Sequence, residues 1–245
     1  MLREVRTQQV TIRGVDMCGR FTLAIQGSMI SEWFDIHGDV LELTPRYNVA
    51  PTQQIPVVRS DGEQNNLTMM RWGLVPFWTK EINSKYTMIN AREDKIMETR
   101  SYAGPFKTKR CLIPATGFYE WQKGEGKTKH PMLIRLKTAE PFAFAGIWEQ
   151  WQDKSNPDAR PVLSCSIITT QPNTLMEPIH DRMPVILPLE LYSDWMNPAT
   201  QDVGYLKELL LPFDPSLMEA FPVSRAVNSV RNDRPELMEP ENALE

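Results

Sequence analysis

The sequence predicts an α+β domain organised around a curved, largely antiparallel sheet, and three observations carry that prediction. Strand-like segments succeed one another along the middle of the chain, with short helical segments inserted between them. Twenty prolines in 245 residues break up long regular elements and demand irregular connections. No internal repeat and no low-complexity linker divides the chain, so a single domain is expected.

The elements follow in order. Residues 1–16 are polar and weakly patterned and read as an extension ahead of a domain spanning 17–232. Met29, Ile30, Trp33 and Phe34 recur at helical spacing, predicting a helix over Ser28–Ile36 with the serine as its cap. Leu67–Trp72 alternates as a strand does, and Glu93–Arg100 reads as a short helix. Cys111–Pro114, Phe118–Gln122 and Met132–Lys137 read as strands, the last two joined through the Lys-Gly-Glu-Gly-Lys-Thr run at 123–128 as a hairpin. Phe142–Trp148 and Val162–Thr170 add two more strands. Two late helices are expected at Pro188–Asn197, opened by its proline, and Gln201–Leu211. Residues 233–245 read as a flexible acidic tail.

Composition narrows the function classes. The chain is 41% hydrophobic and 24% charged, as expected of a globular protein with a sizeable core. Its formal charge is −4, but residues 79–137 hold 13 Lys and Arg against 6 Asp and Glu, a local +7 that leaves −11 for the remainder. Such asymmetry fits either a basic binding face or a solvated lysine-rich surface. Cys18, Cys111 and Cys165 are too few and too far apart for a disulfide framework or a zinc cluster, and they suit a reducing compartment. No apolar run approaches the roughly 20 residues that span a bilayer, and the first residues carry no apolar signal core. A cytoplasmic protein without metal or organic cofactor is expected.

Several residue types could carry chemistry. His180 lies in Pro-Ile-His-Asp-Arg-Met-Pro just after a predicted strand, where functional groups often sit; bonding to a neighbouring backbone group is the alternative. Glu120 lies between aromatics in Gly-Phe-Tyr-Glu-Trp, sharing a strand face with Phe118, while Tyr119 and Trp121 share the other. Desolvation there disfavours the carboxylate and suits a proton-transfer group, unless the residue serves an ion pair. Asn90 and Arg92 point the same way from an extended segment, and a helix beginning at Glu93 would favour an anion beside Arg92; a surface salt bridge is the alternative. Arg71-Trp72, Phe77-Trp78 and Trp121 interleave cations with rings, a mixture that binds single-stranded nucleic acid when the rings are exposed and builds core when they are not. Cys18 is unremarkable inside a chain. If translation begins at Met17, or the preceding residues are removed, it bears an α-amine beside its thiol. That amine, with a pKa of about 8 against about 10.4 for lysine, is substantially nucleophilic near neutral pH. A thiol and an amine on one residue close a five-membered thiazolidine on an aldehyde.

Eight segments in order carry a resemblance: 17–21 (Met-Cys-Gly-Arg-Phe), 46–51 (Arg-Tyr-Asn-Val-Ala-Pro), 71–76 (Arg-Trp-Gly-Leu-Val-Pro), 89–93 (Ile-Asn-Ala-Arg-Glu), 110–114 (Arg-Cys-Leu-Ile-Pro), 117–121, 179–184 and 222–227. Together they resemble the SOS-response-associated peptidase family, SRAP, whose members process abasic sites. The resemblance implies a barrel-like core with flanking helices and a function in the DNA damage response: sensing abasic sites in single-stranded DNA and linking to them covalently through Cys18. It implies Glu120 as acid/base, His180 as an aid to ring opening and imine chemistry, and Asn90 as the residue orienting cysteine and sugar. Arg20 and Arg92 would hold flanking phosphates, and Trp72, Pro51, Trp121, Arg182 and Arg225 would line the DNA channel. Self-cleavage exposing Cys18 and a lyase side reaction are further implications. A nucleoid setting, partners at the replication fork and a monomeric state are further expectations. Sixteen residues precede Met17, and initiation at Met17 and removal of a propeptide both remain open. Two other classes are a cysteine peptidase acting through Cys18, His180 and Glu120, and a non-catalytic module that reads damaged bases.

Overall fold

The structure, a computed structural model, describes residues 19–36, 42–82 and 87–241. Cys18 and His37 lie outside the described residues, as do the extension at 1–16 and the last four residues of the expected tail. In chain order the elements are β1 (Phe21–Leu23), α1 (Gly27–Trp33), β2 (Arg46–Val49), β3 (Gln54–Ser60), β4 (Asn65–Trp72), β5 (Asn90–Arg92), α2 (Arg100–Thr108), β6 (Arg110–Ala115), β7 (Gly117–Lys123), β8 (Lys129–Leu136), β9 (Phe142–Trp151), β10 (Val162–Thr170), β11 (Met183–Pro184), β12 (Ile186–Leu187), α3 (Tyr192–Met196), α4 (Val203–Glu208) and β13 (Met218–Pro222). The α+β class and the barrel-like core stand.

Five strands close on themselves: β4 pairs β3, β3 pairs β6, β6 pairs β9, β9 pairs β10, and β10 returns to β4. The β10–β4 joint is parallel and the other four are antiparallel. Phe142 to Ile147 are buried without interruption, so β9 is covered on both faces rather than alternating. Gly146 lets β6 and β9 approach, since a Cβ there would lie 2.9 Å from Cys111 Sγ. Cys111 and Cys165 are free thiols inside this core, and burial pushes both well above the ordinary thiol pKa.

A second, five-stranded antiparallel sheet runs β13-β8-β7-β1-β2. Its two faces pack differently because strand side chains alternate. Phe21 and Phe118 meet the barrel, Phe21 lying edge-on to Trp72 at 5.1 Å and Phe118 to Phe144 at 6.0 Å between ring centroids. Tyr119 and Leu133 face the other way and pack with Val223, Val227 and Leu237 from the C-terminal segment. Burial of such side chains contributes roughly 1.5–3 kcal/mol each, which ties the late segment to the sheet.

Several expectations need correction. Residues 93–98 form turns, closed by Lys95 N to Arg92 O at 3.0 Å and Glu98 N to Lys95 O at 3.1 Å, so no helix starts beside Arg92. The helix begins at Arg100 and continues through Gly104 and Pro105, poor helix formers that hid it; buried Tyr102 and Phe106 hold it by tertiary packing. Arg110 then donates to carbonyls of Phe106, Lys107, Trp195, Asn197 and Thr200, satisfying the ends of α2 and α3 together. Ser28 caps nothing, since α1 starts one residue earlier, behind Gln26. The late helices are shorter than expected, and the second begins at Val203 behind Asp202, whose side chain accepts from Gly204 N and Tyr205 N. The tail is not loose as far as Glu241: Leu237 is buried and Glu241 N donates to Pro222 O at 2.7 Å.

Candidate functional site

The described chain opens at Gly19 and enters β1 alongside β7, where Phe21 pairs Phe118 and Thr22 pairs Gly117. One residue outward, Tyr119 N donates to Arg20 O at 2.9 Å. Arg20 Nη1 donates to Asn48 Oδ1 and to Val227 O, each at 2.7 Å, and its guanidinium carbon lies 5.7 Å from the centre of the Trp121 ring. Burial holds the Arg20 pKa below its ordinary value, with Tyr119 acting in the opposite sense. Trp121 Nε1 donates to Asn228 Oδ1 at 2.8 Å. Cation, ring and C-terminal segment are therefore one preorganised unit.

Glu120 stands between Tyr119 and Trp121, 4% exposed, opposite Met132 of β8. Its neighbour on the same strand face, Gln122, donates to Pro178 O at 3.1 Å and so ties β7 to the loop that carries His180. His180 is largely buried. Its Nδ1 accepts from Arg182 N at 3.1 Å and lies 3.0 Å from Asp181 Oδ1. With Nδ1 engaged, proton exchange with a ligand falls to Nε2.

Asn90 and Arg92 sit on the short strand β5, in parallel register with Ile167 and Thr169 of β10. Tyr102 from α2 donates its hydroxyl to Asn90 O at 2.9 Å, and burial pushes that phenol up to about 12. Arg92 makes a bidentate pair with Asp94, at 3.1 Å and 2.8 Å. The same pair holds the Asp94 carboxyl down at about 2. Arg182 Nη2 donates to Glu93 Oε2 at 2.6 Å and to Thr169 O at 2.7 Å, so its charge serves the junction of β5, β10 and the histidine loop. As a residue predicted to line a DNA channel, Arg182 is instead 13% exposed and internally bonded.

The predicted residues thus gather in two linked groups, Arg20 just ahead of β1 with Glu120 and Trp121 on β7, and Asn90, Arg92, His180 and Arg182 around the end of β10. Arg225 is exposed at the start of the 225–228 turn, whose Val227 carbonyl receives Arg20. Pro51 is half-buried in the β2–β3 turn, beside Thr52 at a left-handed φ of 73°. Trp72 contradicts its expected place. It has no exposed surface, its Nε1 donates to Ile89 O at 3.0 Å, and its backbone bonds Thr52 and Gln53. It supports the Pro51 turn from the core and offers no ring to a ligand.

The exposed rings lie a few residues on. Phe77 and Trp78 are open, the guanidinium of Arg100 lies 5.1 Å from the Trp78 ring centre, and Trp78 borders a cavity of about 720 Å³ with Arg71, Leu74, Lys80 and Ser101. Sequence patterning could not separate Trp72 from Trp78, because both follow a basic or aromatic neighbour. It also passed over Asn48, whose motif was visible but whose partners are about 180 residues away. Among the described residues no group of three or more metal-ligating side chains occurs, and no helix is long and apolar enough to cross a membrane.

A fold of this kind has known relatives. Residues 17–230 match the family described as SOS response associated peptidase (SRAP), and the chain belongs to that family. It is 49% identical over 225 residues to the abasic site processing protein YoqW of Bacillus subtilis, covering 91% of this chain and 99% of that one. It is 34% identical over 226 residues to the abasic site processing protein HMCES of Gallus gallus, covering 80% and 66%. A solved structure from Bacteroides thetaiotaomicron superposes with a TM-score of 0.81 at 28% identity, over 91% of this chain and all of that one.

Proposed function

We propose that the protein processes abasic sites in single-stranded DNA by capturing the open-chain aldehyde of the lesion on Cys18. The observation that carries this reading is the bond from Tyr119 N to Arg20 O. Cys18 is two residues before Arg20, and Glu120 is one residue after Tyr119 on the antiparallel neighbour. That bond ties the segment that follows Cys18 in the sequence to the strand that carries the buried Glu120 carboxyl. The relatives named as abasic site processing proteins support the choice of substrate.

The chemistry needs a free α-amine on Cys18. The neutral amine adds to the aldehyde carbon, and the resulting hydroxyl leaves as water after taking a proton, for which Glu120 is the donor on this reading. The Cys18 sulfur, as thiolate, then adds to the iminium carbon and closes a thiazolidine, so one water is lost overall. His180, through Nε2, assists opening of the cyclic sugar, and Asn90 orients sugar and cysteine. Arg20 and Arg92 receive the flanking phosphates, with Arg225 as an outer cation. Pro51, Trp121, Phe77 and Trp78 supply surfaces for neighbouring bases, worth about 1–3 kcal/mol per stacked base. Arg182 acts by holding the His180 loop to β5.

Residues 1–16 block this reaction while attached, because Cys18 then has an amide nitrogen. Either initiation at Met17 or cleavage by the same site would expose the amine, and the family's description as a peptidase supports considering the second. The imine stage also opens a route to strand cleavage as a minor lyase reaction. Abasic sites on single strands arise where a duplex has been opened, so replication-fork proteins are the partners this chemistry fits, and one copy of the chain suffices.

The test compares two preparations, one beginning at Cys18 and one retaining residues 1–16 with cleavage blocked, each mixed with an abasic oligonucleotide and run under denaturing conditions. A heat-stable protein–DNA band is expected only from the first. Equal bands from both would overturn the aminothiol mechanism.

A further inference from the structure

We infer that the β7–β8 hairpin is a basic arm that grips single-stranded phosphodiester backbone beyond the lesion, as a separate contact surface continuous with the Arg20–Trp121 unit. The inference rests on the proposed DNA function but concerns residues that function did not use. The strands run out past Glu120 as a ladder in which Trp121 opposes Pro131, Gln122 opposes His130 and Lys123 opposes Lys129. Side chains alternate, so Lys123 and Lys129 share the face of Trp121, the ring beneath Arg20. Lys123 follows Trp121 by one pleat repeat, roughly 6.6 Å.

Directly opposed like charges destabilise a strand pair. Lys123 and Lys129 are such a pair beside the turn of the hairpin, where many polar residues would serve structurally as well. Lys127 adds a third exposed cation in the turn. Among the described residues no carboxylate pairs with any of the three, whereas Arg92, Lys95, Lys109 and Arg135 from the same basic stretch each hold one. Three of the 13 cations of residues 79–137 therefore stand without an ion-pair partner on this one tip, with Glu125 the only acid in its turn. The tip is also built rather than slack. Gly124 N donates to Thr128 O at 3.0 Å, Thr128 Oγ1 donates to Glu125 O at 2.7 Å, and Gly126 supplies a left-handed φ of 65°. His130 lies against Gly124, where an added Cβ would sit 2.8 Å from its ring. A row of unpaired cations on a rigid ribbon, in line with a cation-capped aromatic, matches a polyanion with regularly spaced charges.

The test is salt dependence of non-covalent binding to a single-stranded oligonucleotide carrying a tetrahydrofuran abasic analogue, which has no aldehyde and cannot be linked. Each cation engaged with a single strand contributes about 0.7 to the slope of log K against log salt, so K123S/K127S/K129S should lower the slope by about 2. K123R/K127R/K129R should restore it, and K154S/K207S, two exposed lysines elsewhere, should leave it unchanged. The triple serine variant should still form its Cys18 adduct with a true abasic oligonucleotide at saturating DNA. A slope unchanged in the triple serine variant, or lowered equally by K154S/K207S, would overturn the arm. Loss of the adduct in the wild-type protein would instead defeat the capture reading, while the slope measurement would stand.

Discussion

Asn48 holds Arg20: its carboxamide oxygen accepts Arg20 Nη1 at 2.7 Å, and its amide nitrogen reaches the carbonyls of Val227, Ser229 and Asn232. One buried amide thus fixes Arg20 and the C-terminal segment that also bonds Trp121. Asn48→Ala leaves those groups short of partners in a dry site, a loss of about 1–3 kcal/mol in chemical denaturation. In single-turnover adduct formation the DNA concentration for half-maximal rate should rise more than the plateau rate falls, because Arg20 is misplaced rather than removed. A plateau loss alone would assign Asn48 a purely structural part.

The two tryptophans separate cleanly. Trp72→Phe removes a buried indole and its bond to Ile89 O and should cost about 1–3 kcal/mol of stability while leaving DNA affinity of the folded protein unchanged. Trp78→Ala should leave the melting temperature within a few degrees and weaken binding of single-stranded DNA by roughly 1–3 kcal/mol. Fluorescence anisotropy and thermal melts on both variants decide it.

If Arg92 receives phosphate as proposed, Asp94 is its competitor. Its carboxyl is held at about 2 by hydrogen bonding to Arg92, below the ordinary 3.8, so it stays ionised throughout the neutral range. The stabilisation linked to that depressed pKa is present above about 4 and lost as pH falls through about 2. An NMR titration should place the Asp94 midpoint near 2 and return it towards the ordinary value in Arg92→Ala. The pair is partly exposed and worth about 0.2–1 kcal/mol, so Asp94→Asn should tighten DNA binding a few-fold at most. Weaker binding in that variant would argue that Arg92 does not meet phosphate.

Glu120→Gln keeps shape and burial but removes the proton. Adduct formation at saturating DNA should slow by about 10²–10⁴, the usual range for a positioned acid–base group. Binding of the tetrahydrofuran analogue should change little. A large affinity loss with an unchanged rate would make Glu120 a binding residue instead.

What the sequence disclosed depended on the range of the interaction. Val162–Thr170 was legible to the residue because its Val, Ile and Thr favour a strand and Pro161 and Pro172 bound it, and the two faces of β7 were legible because Phe118 and Tyr119 alternate into different clusters. Closure of the barrel through a parallel β10–β4 joint left no local trace. The turns at 93–98 were read as a helix from local composition, while their anchor, Glu93 to Arg182, spans 89 residues. The candidate residues on β5 and β7 were visible as motifs. The supporting bonds were not: Asn48 and Gln122 reach carbonyls 181 and 56 residues away, and Tyr102 reaches Asn90 O from a helix the sequence did not show.

The most direct measurement is the intact mass of protein verified to begin at Cys18, after incubation with an abasic single-stranded oligonucleotide. Capture as a thiazolidine predicts a species equal to protein plus oligonucleotide less one water, absent for Cys18→Ala. No such species, or one formed equally by Cys18→Ala, would contradict it.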